Sequence, residues 1–191
     1  MCGAQLEHHL LLGAEVDRLL VAPAAQVPDV QLVAVLTEQL PPALQPFGAV
    51  PPLITDIALS VDDRTLLVSC WGTGELKRFD VSNPRAPRET ASVRLGGVVE
   101  RTAHPASGPL NGGPQMVEMS RDGKRVYLTN SLYASWDAQF YPEGIDGWMV
   151  KLDCNGDLSV DPDFFVEFSG ERPHQVRLQG GDASSDSYCF P

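Results

Sequence analysis

Histidine is the side chain in this sequence best suited to hold a metal, and there are four: His8, His9, His104 and His174. Imidazole accepts a metal ion at either ring nitrogen once it is neutral. His174 stands in PHQVRLQGGDASSD, beside a Gly-Gly turn and a group of carboxylates and hydroxyls. Asp182 and Asp186 bracket Ser184 and Ser185 there, and a carboxylate can orient a ligating imidazole from behind. The alternative is that these Asp and Ser side chains tie a tight turn by bonding its backbone. His104 lies in RTAHPASGPLNGGPQM, a Gly- and Pro-rich loop of the kind that carries functional residues on a rigid scaffold. It reads either as a second ligand or as a plain exposed loop residue. His8 and His9 belong to the N-terminal segment and read as solvent-facing.

Four cysteines, Cys2, Cys70, Cys154 and Cys189, occur without a CxxC pair. The spacing suits neither a zinc site nor a disulfide scaffold, so free thiols in a reducing compartment are expected. Cys70 ends a strand-like run and reads as a small buried residue. Trp71, Trp136, Trp148, Tyr133 and Tyr141 can wall an apolar pocket or pack between elements, and packing is the expectation. The Asp122-Gly123 turn lacks the alternating carboxylates of a calcium loop.

The elements that must position these residues fall into zones. Residues 1–37 are rich in Leu, Val and Ala with a rough helical period, and read as an unmatched segment that is either helical or disordered. Residues 38–52 form a Pro-rich bridge, whose prolines withhold backbone donors. From Leu53 onward, over 53–191, the chain reads as short strands. Within it SVDDRTLLVS at 60–69 and SRDGKRVYLT at 120–129 repeat one turn and one strand. ITDIALS and PQMVEMS precede them as strands, and ELKRFDV and GWMVKLD follow. DFFVEF and HQVRLQ are expected to begin a third, partial unit.

A strand, an Asp turn and two further strands recurring about every 60 residues resemble one blade of a β-propeller. The fold class is therefore all-β, with two or three blades as an open sector; a β-sandwich of the same hairpins is the alternative. Such a sector leaves strand edges and apolar faces uncovered, and self-association through them is expected.

A net charge of -11 repels a phosphate backbone, so nucleic acid is an unsuitable partner. No apolar run reaches the roughly 18 residues needed to span a bilayer. The N-terminus lacks the basic start of a signal peptide, which points to the cytoplasm, or to the periplasm if a signal has been lost.

Several long blocks, in order, carry more than periodicity. PPLITDIALSVDDRTLLVSCWGTGELKRFDVSNPRAP, LGG, GGPQMVEMSRDGKRVYLTNSLYASWDAQFYP and PHQVRLQGGDASSD resemble the selenium-binding protein family, whose members include methanethiol oxidases. The resemblance runs from Glu38 to the C-terminus and not through 1–37. It implies a seven- or eight-bladed propeller more than twice as long, so a truncated chain, a misplaced start or a frame error is expected. It also implies copper as cofactor and methanethiol as substrate, oxidised by oxygen to formaldehyde, hydrogen sulfide and hydrogen peroxide. Imidazole suits copper in both oxidation states, and the resemblance makes His174 the first copper ligand, with His104 second. The selenium-binding cysteine of the family has no counterpart in this chain, and Ala183 replaces a cysteine found in many relatives. The alternative function is a non-catalytic propeller piece that binds selenium or protein.

Overall fold

The computed structural model describes residues 33–34 and 40–188. The N-terminal zone lies almost wholly outside these residues. Of it only β1 (Val33–Ala34) is described, and it pairs with β2 (Ala49–Val50) across the Pro-rich bridge.

Two four-stranded antiparallel sheets make up the rest, each a simple up-and-down meander. The first takes β3 (Ile54–Leu59), β4 (Thr65–Cys70), β5 (Glu75–Asp80) and β6 (Arg88–Arg94) in chain order. The second takes β7 (Met116–Met119), β8 (Arg125–Thr129), β9 (Gly147–Asp153) and β10 (Ser159–Phe168). Strand β3 faces β7, and neither sheet closes on itself. The all-β expectation holds.

The repeated ten residues build one and the same turn. Ser60 Oγ bonds Asp62 Oδ1 at 2.6 Å and accepts the Thr65 N–H at 2.9 Å. Ser120 Oγ bonds Asp122 Oδ1 at 2.6 Å and accepts the Arg125 N–H at 3.0 Å. Asp63 and Gly123, at φ 57 and 72, take the left-handed position that only Gly, Asn and Asp enter readily. Between the sheets lies the core: Ala58, Leu67 and Leu76 from one side, Val117, Met119, Val126, Leu128, Val150 and Leu152 from the other. Leu66, Val68 and Cys70 point the opposite way and are also buried, which is why β4 reads as a continuous apolar run.

Two expectations need correction. DFFVEF does not open a third unit; it lies in β10 and closes the second sheet. HQVRLQ is not a strand, for residues 171–178 join no sheet. The long connection between β8 and β9 contains a seven-residue helix, α1 (Ala134–Phe140). It packs Phe140 and, just beyond it, Tyr141 edge-on against Trp71, at centroid distances of 5.4 and 5.6 Å. Trp71, Tyr141 and Trp148 are buried as packing residues, whereas Tyr133 and Trp136 are exposed.

Candidate functional site

The two loop histidines differ in what their ring nitrogens have left to offer. His104 is 1% exposed, not the exposed residue that its Gly/Pro-rich loop suggested. Its Nδ1 accepts the Ala106 N–H at 3.0 Å, so the ring proton sits on Nε2 and is donated to the Asp161 carbonyl at 3.0 Å. Phe165 of β10 covers the ring at 5.1 Å between centroids. Both nitrogens are spent on backbone, which leaves no lone pair for a metal. His104 instead pins the connection between the sheets to β10.

His174 has the opposite arrangement. It is exposed, and its Nδ1 faces the Ser131 carbonyl at 3.3 Å. A carbonyl only accepts, so the neutral ring carries its proton on Nδ1 and keeps the Nε2 lone pair. No hydrogen-bond partner of Nε2 occurs among the described residues. Tyr133 flanks the ring at 6.1 Å. One imidazole nitrogen is thus held by the protein and the other is presented, as in a metal ligand fixed from behind. Here the fixing group is a carbonyl. Neither expected carboxylate takes that role: Asp182 pairs with Arg125 at 2.6 Å, and Asp186 accepts the Ala183 N–H at 3.1 Å to tie its turn.

Residues 171–178, the strap that carries His174, run beside a small open pocket of about 120 Å³ lined by β3, β7, Gln175, Val176, Ser184 and Ser185. Asp56 and Glu118 line it, together with Gln175, Ser184 and Ser185. Glu118, 6% exposed, accepts the Ser185 hydroxyl at 2.6 Å and the Ser184 hydroxyl at 3.3 Å. It docks the GGDASSD block onto the end of the second sheet, and Ala183 adds a bridge to Ser120. Asp56 accepts the Val117 N–H at 2.8 Å. Burial raises its carboxyl above the usual range; the Val117 bond opposes this and Glu118 adds to it. Asp56 can therefore hold a proton at a higher pH than an open aspartate.

The sign of that shift is testable. A carboxyl raised in the folded state is favourable while protonated and becomes a cost once pH climbs through its folded pKa. Asp56→Asn is expected to match the parent chain below about pH 4 and to exceed it in stability at neutral pH. Urea midpoints at the two pH values measure this, and an equal or lower midpoint at neutral pH would contradict it.

Sequence reasoning missed Glu118 and Asp56. The signal was an acidic residue within each of the strand runs ITDIALS and PQMVEMS, where an apolar residue would ordinarily sit. Among the described residues no three His, Cys, Asp or Glu side chains are grouped to hold a metal ion. Cys70 is buried, its thiol pushed up to about 12 chiefly by that burial, so it is no nucleophile or ligand near neutrality. No described helix is long and apolar enough to cross a membrane.

Comparison with known proteins gives concordant matches. The model of the 56kDa selenium binding protein family (SBP56) matches residues 14–189, beginning upstream of Glu38. A Rattus norvegicus protein named methanethiol oxidase is 43% identical over 166 residues, covering 71% of this chain and 34% of that protein. Selenium-binding protein 2 of Mus musculus is 42% identical over 164 residues with the same coverage. The X-ray structure of a hypothetical selenium-binding protein from Sulfolobus tokodaii superposes with a TM-score of 0.75 at 60% identity, covering 80% of this chain and 34% of that one. The chain thus spans about a third of the length of these relatives.

Proposed function

Since the chain belongs to the 56 kDa selenium-binding protein family, we propose that it is a sector of a β-propeller whose whole performs copper-dependent oxidation of methanethiol. The reaction is methanethiol, oxygen and water giving formaldehyde, hydrogen sulfide and hydrogen peroxide. Two electrons leave the thiol carbon, the C–S bond breaks as water oxygen joins that carbon, and oxygen is reduced to peroxide. The observation that carries the reading is the match over residues 14–189, joined to relatives named for this oxidase. The two four-stranded meanders, set side by side and each open, are what adjacent propeller blades require.

Donor chemistry suits His174 to one ligand position: a neutral imidazole with Nδ1 engaged and the Nε2 lone pair outward. The described residues do not by themselves supply a set of three ligands, so the rest of the set would be completed from elsewhere. Bound copper would supply the one-electron steps by which a thiol is oxidised by oxygen. This chain contributes the orientation of the ring, and Tyr133 and Trp136 offer exposed aromatic surface to a small apolar thiol. Asp56 offers a carboxyl whose hold on its proton burial strengthens, in a crevice between β3 and β7.

Copper content and oxygen uptake on methanethiol test this reading. The expectation is formaldehyde and peroxide formed one for one, with His174→Ala lowering the rate at least about tenfold, the loss typical of a disturbed metal site. A protein that takes up neither copper nor oxygen would overturn it. A second reading, a non-catalytic sector that binds selenium or a protein, is favoured by the lack of a three-residue metal group among the described residues. Binding that survives His174→Ala would select it.

A further inference from the structure

Residues 171–178 join no sheet, so no hydrogen-bond ladder decides where His174 stands. Four contacts take its place. Pro173 lies on Gly147, where an added Cβ would come 2.4 Å from the proline Cδ and from the Glu171 carbonyl oxygen. Thr129 Oγ1 donates to the His174 carbonyl at 3.1 Å. The Ser131 carbonyl accepts from the ring at 3.3 Å. Finally, Arg172 donates into the carboxylate of Asp137, which is 1% exposed on α1.

The last contact differs in kind. A carboxylate buried this deeply is costly to the fold even when paired, and an apolar residue would serve stability as well or better. What the ion pair adds is registry. Ser131 and Tyr133, the two residues that meet the imidazole, lie on the short lead into α1. Arg172 is two residues before His174. The pair therefore locks the ring-bearing strap to the element that carries the ring's partners.

We propose that Asp137 and Arg172 are positioning residues for His174: their ion pair ties the strap to α1, holds Nδ1–H against the Ser131 carbonyl and turns Nε2 outward. The purpose of this rests on His174 being a ligand, but the placement of the proton can be read without any metal. Nitrogen-edited NMR of the full chain near pH 8, where an ordinary imidazole is neutral, reports the tautomer of each ring. His174 is expected to carry its proton on Nδ1 in roughly fivefold preference, the bias of one ordinary hydrogen bond. His104 is expected to carry it on Nε2.

In Arg172→Gln the His174 preference falls to near parity while His104 is unchanged, and Arg172→Lys, which keeps the charge, restores part of it. The Arg172 side chain is 42% exposed, so these variants are gentler than Asp137→Asn, which should give the same result. A chain that has lost the His104 signature has unfolded, and the lysine variant then carries the test. Absence of a preference in the parent chain, or a preference that Arg172→Gln leaves intact, overturns the proposal. Substoichiometric Cu²⁺ separates it from the functional reading. Cu²⁺ that broadens His174 before His104 supports both. Cu²⁺ that spares His174, while Arg172→Gln still shifts the tautomer, removes the ligand role and leaves the positioning role standing.

Discussion

Replacing Asn130 with Leu is expected to destabilise the protein by roughly 2–4 kcal/mol, because the buried Trp148 N–H then loses its partner at about 1–3 kcal/mol and the part-buried Asp146 carbonyl loses its own at about 1 kcal/mol. Asn130 is fully buried at the end of β8, where the chain leaves the sheet for α1. Its Nδ2 donates to the carbonyls of Asp146 at 2.8 Å and Asn111 at 3.0 Å, and its Oδ1 accepts the Trp148 N–H at 2.8 Å. The Asn111 carbonyl also receives Trp148 Nε1 at 2.9 Å, so it is not orphaned. The Asp146 carbonyl and the Trp148 N–H are. Leu fills similar space, so the loss is polar rather than volumetric. Asn111→Ala is the control: it removes one exposed bond, to the Gly144 carbonyl at 3.2 Å, and should cost under about 1 kcal/mol. Urea unfolding of the two variants side by side gives the comparison. A cost for Asn130→Leu no larger than that of Asn111→Ala would contradict this account.

Gly96→Ala should be comparably severe for a different reason. Gly96 has φ 63, and a Cβ there would lie 1.8 Å from the Gly112 carbonyl oxygen, with the Gly112 carbonyl carbon at 2.9 Å. That oxygen is itself committed, accepting the Gly97 N–H at 3.1 Å. Backbone must move on one side or the other. The expected loss is roughly 3–5 kcal/mol, about 1–2 from the left-handed conformation and the remainder from overpacking. Gly48→Ala separates the two contributions, since Gly48 has the same φ of 63 and nothing within 4 Å of the added atom. It should lose only the conformational share. Equal midpoints for the two alanine variants would show that the contact, not the dihedral, had been misjudged.

What could be read from the sequence was what is local. The Ser-x-Asp turns recur because every bond in them spans at most five residues, and the strands on either side alternate or run apolar as their burial demands. Strand β6 escaped notice because RETASVR is polar on the exposed side of an edge, leaving no periodicity to see. HQVRLQ misled in the opposite direction: it alternates like a strand, yet its fixing contacts are a proline on a glycine and an ion pair. The site was less legible still. His104 looked exposed because its loop is rich in Gly and Pro, and the Phe165 ring that buries it comes from β10, far along the chain. Glu118 gains its serine partners from the C-terminal block. No spacing rule encodes contacts of that range, and for the same reason no pattern revealed which of the two histidines would be left with a lone pair.

Between the sheets the chain passes its own backbone at very short range. Gly74 meets Gly96, Gly96 meets Gly112, and Gly113 meets Trp71, each where a Cβ would come within 2.5 Å of a main-chain oxygen. At these points main chain meets main chain with no side chain to re-pack, at the edge of the side-chain core that fills the rest of the space between the sheets. Tilting one sheet against the other would drive carbonyls into neighbouring backbone rather than slide methyl groups past each other. Trp71, whose indole nitrogen reaches the Asn130 carbonyl at 3.0 Å, fixes the root of the α1 connection from the far sheet. On the reading that His174 is a ligand, motion of the strap and α1 would open its surroundings more readily than a tilt of the two sheets.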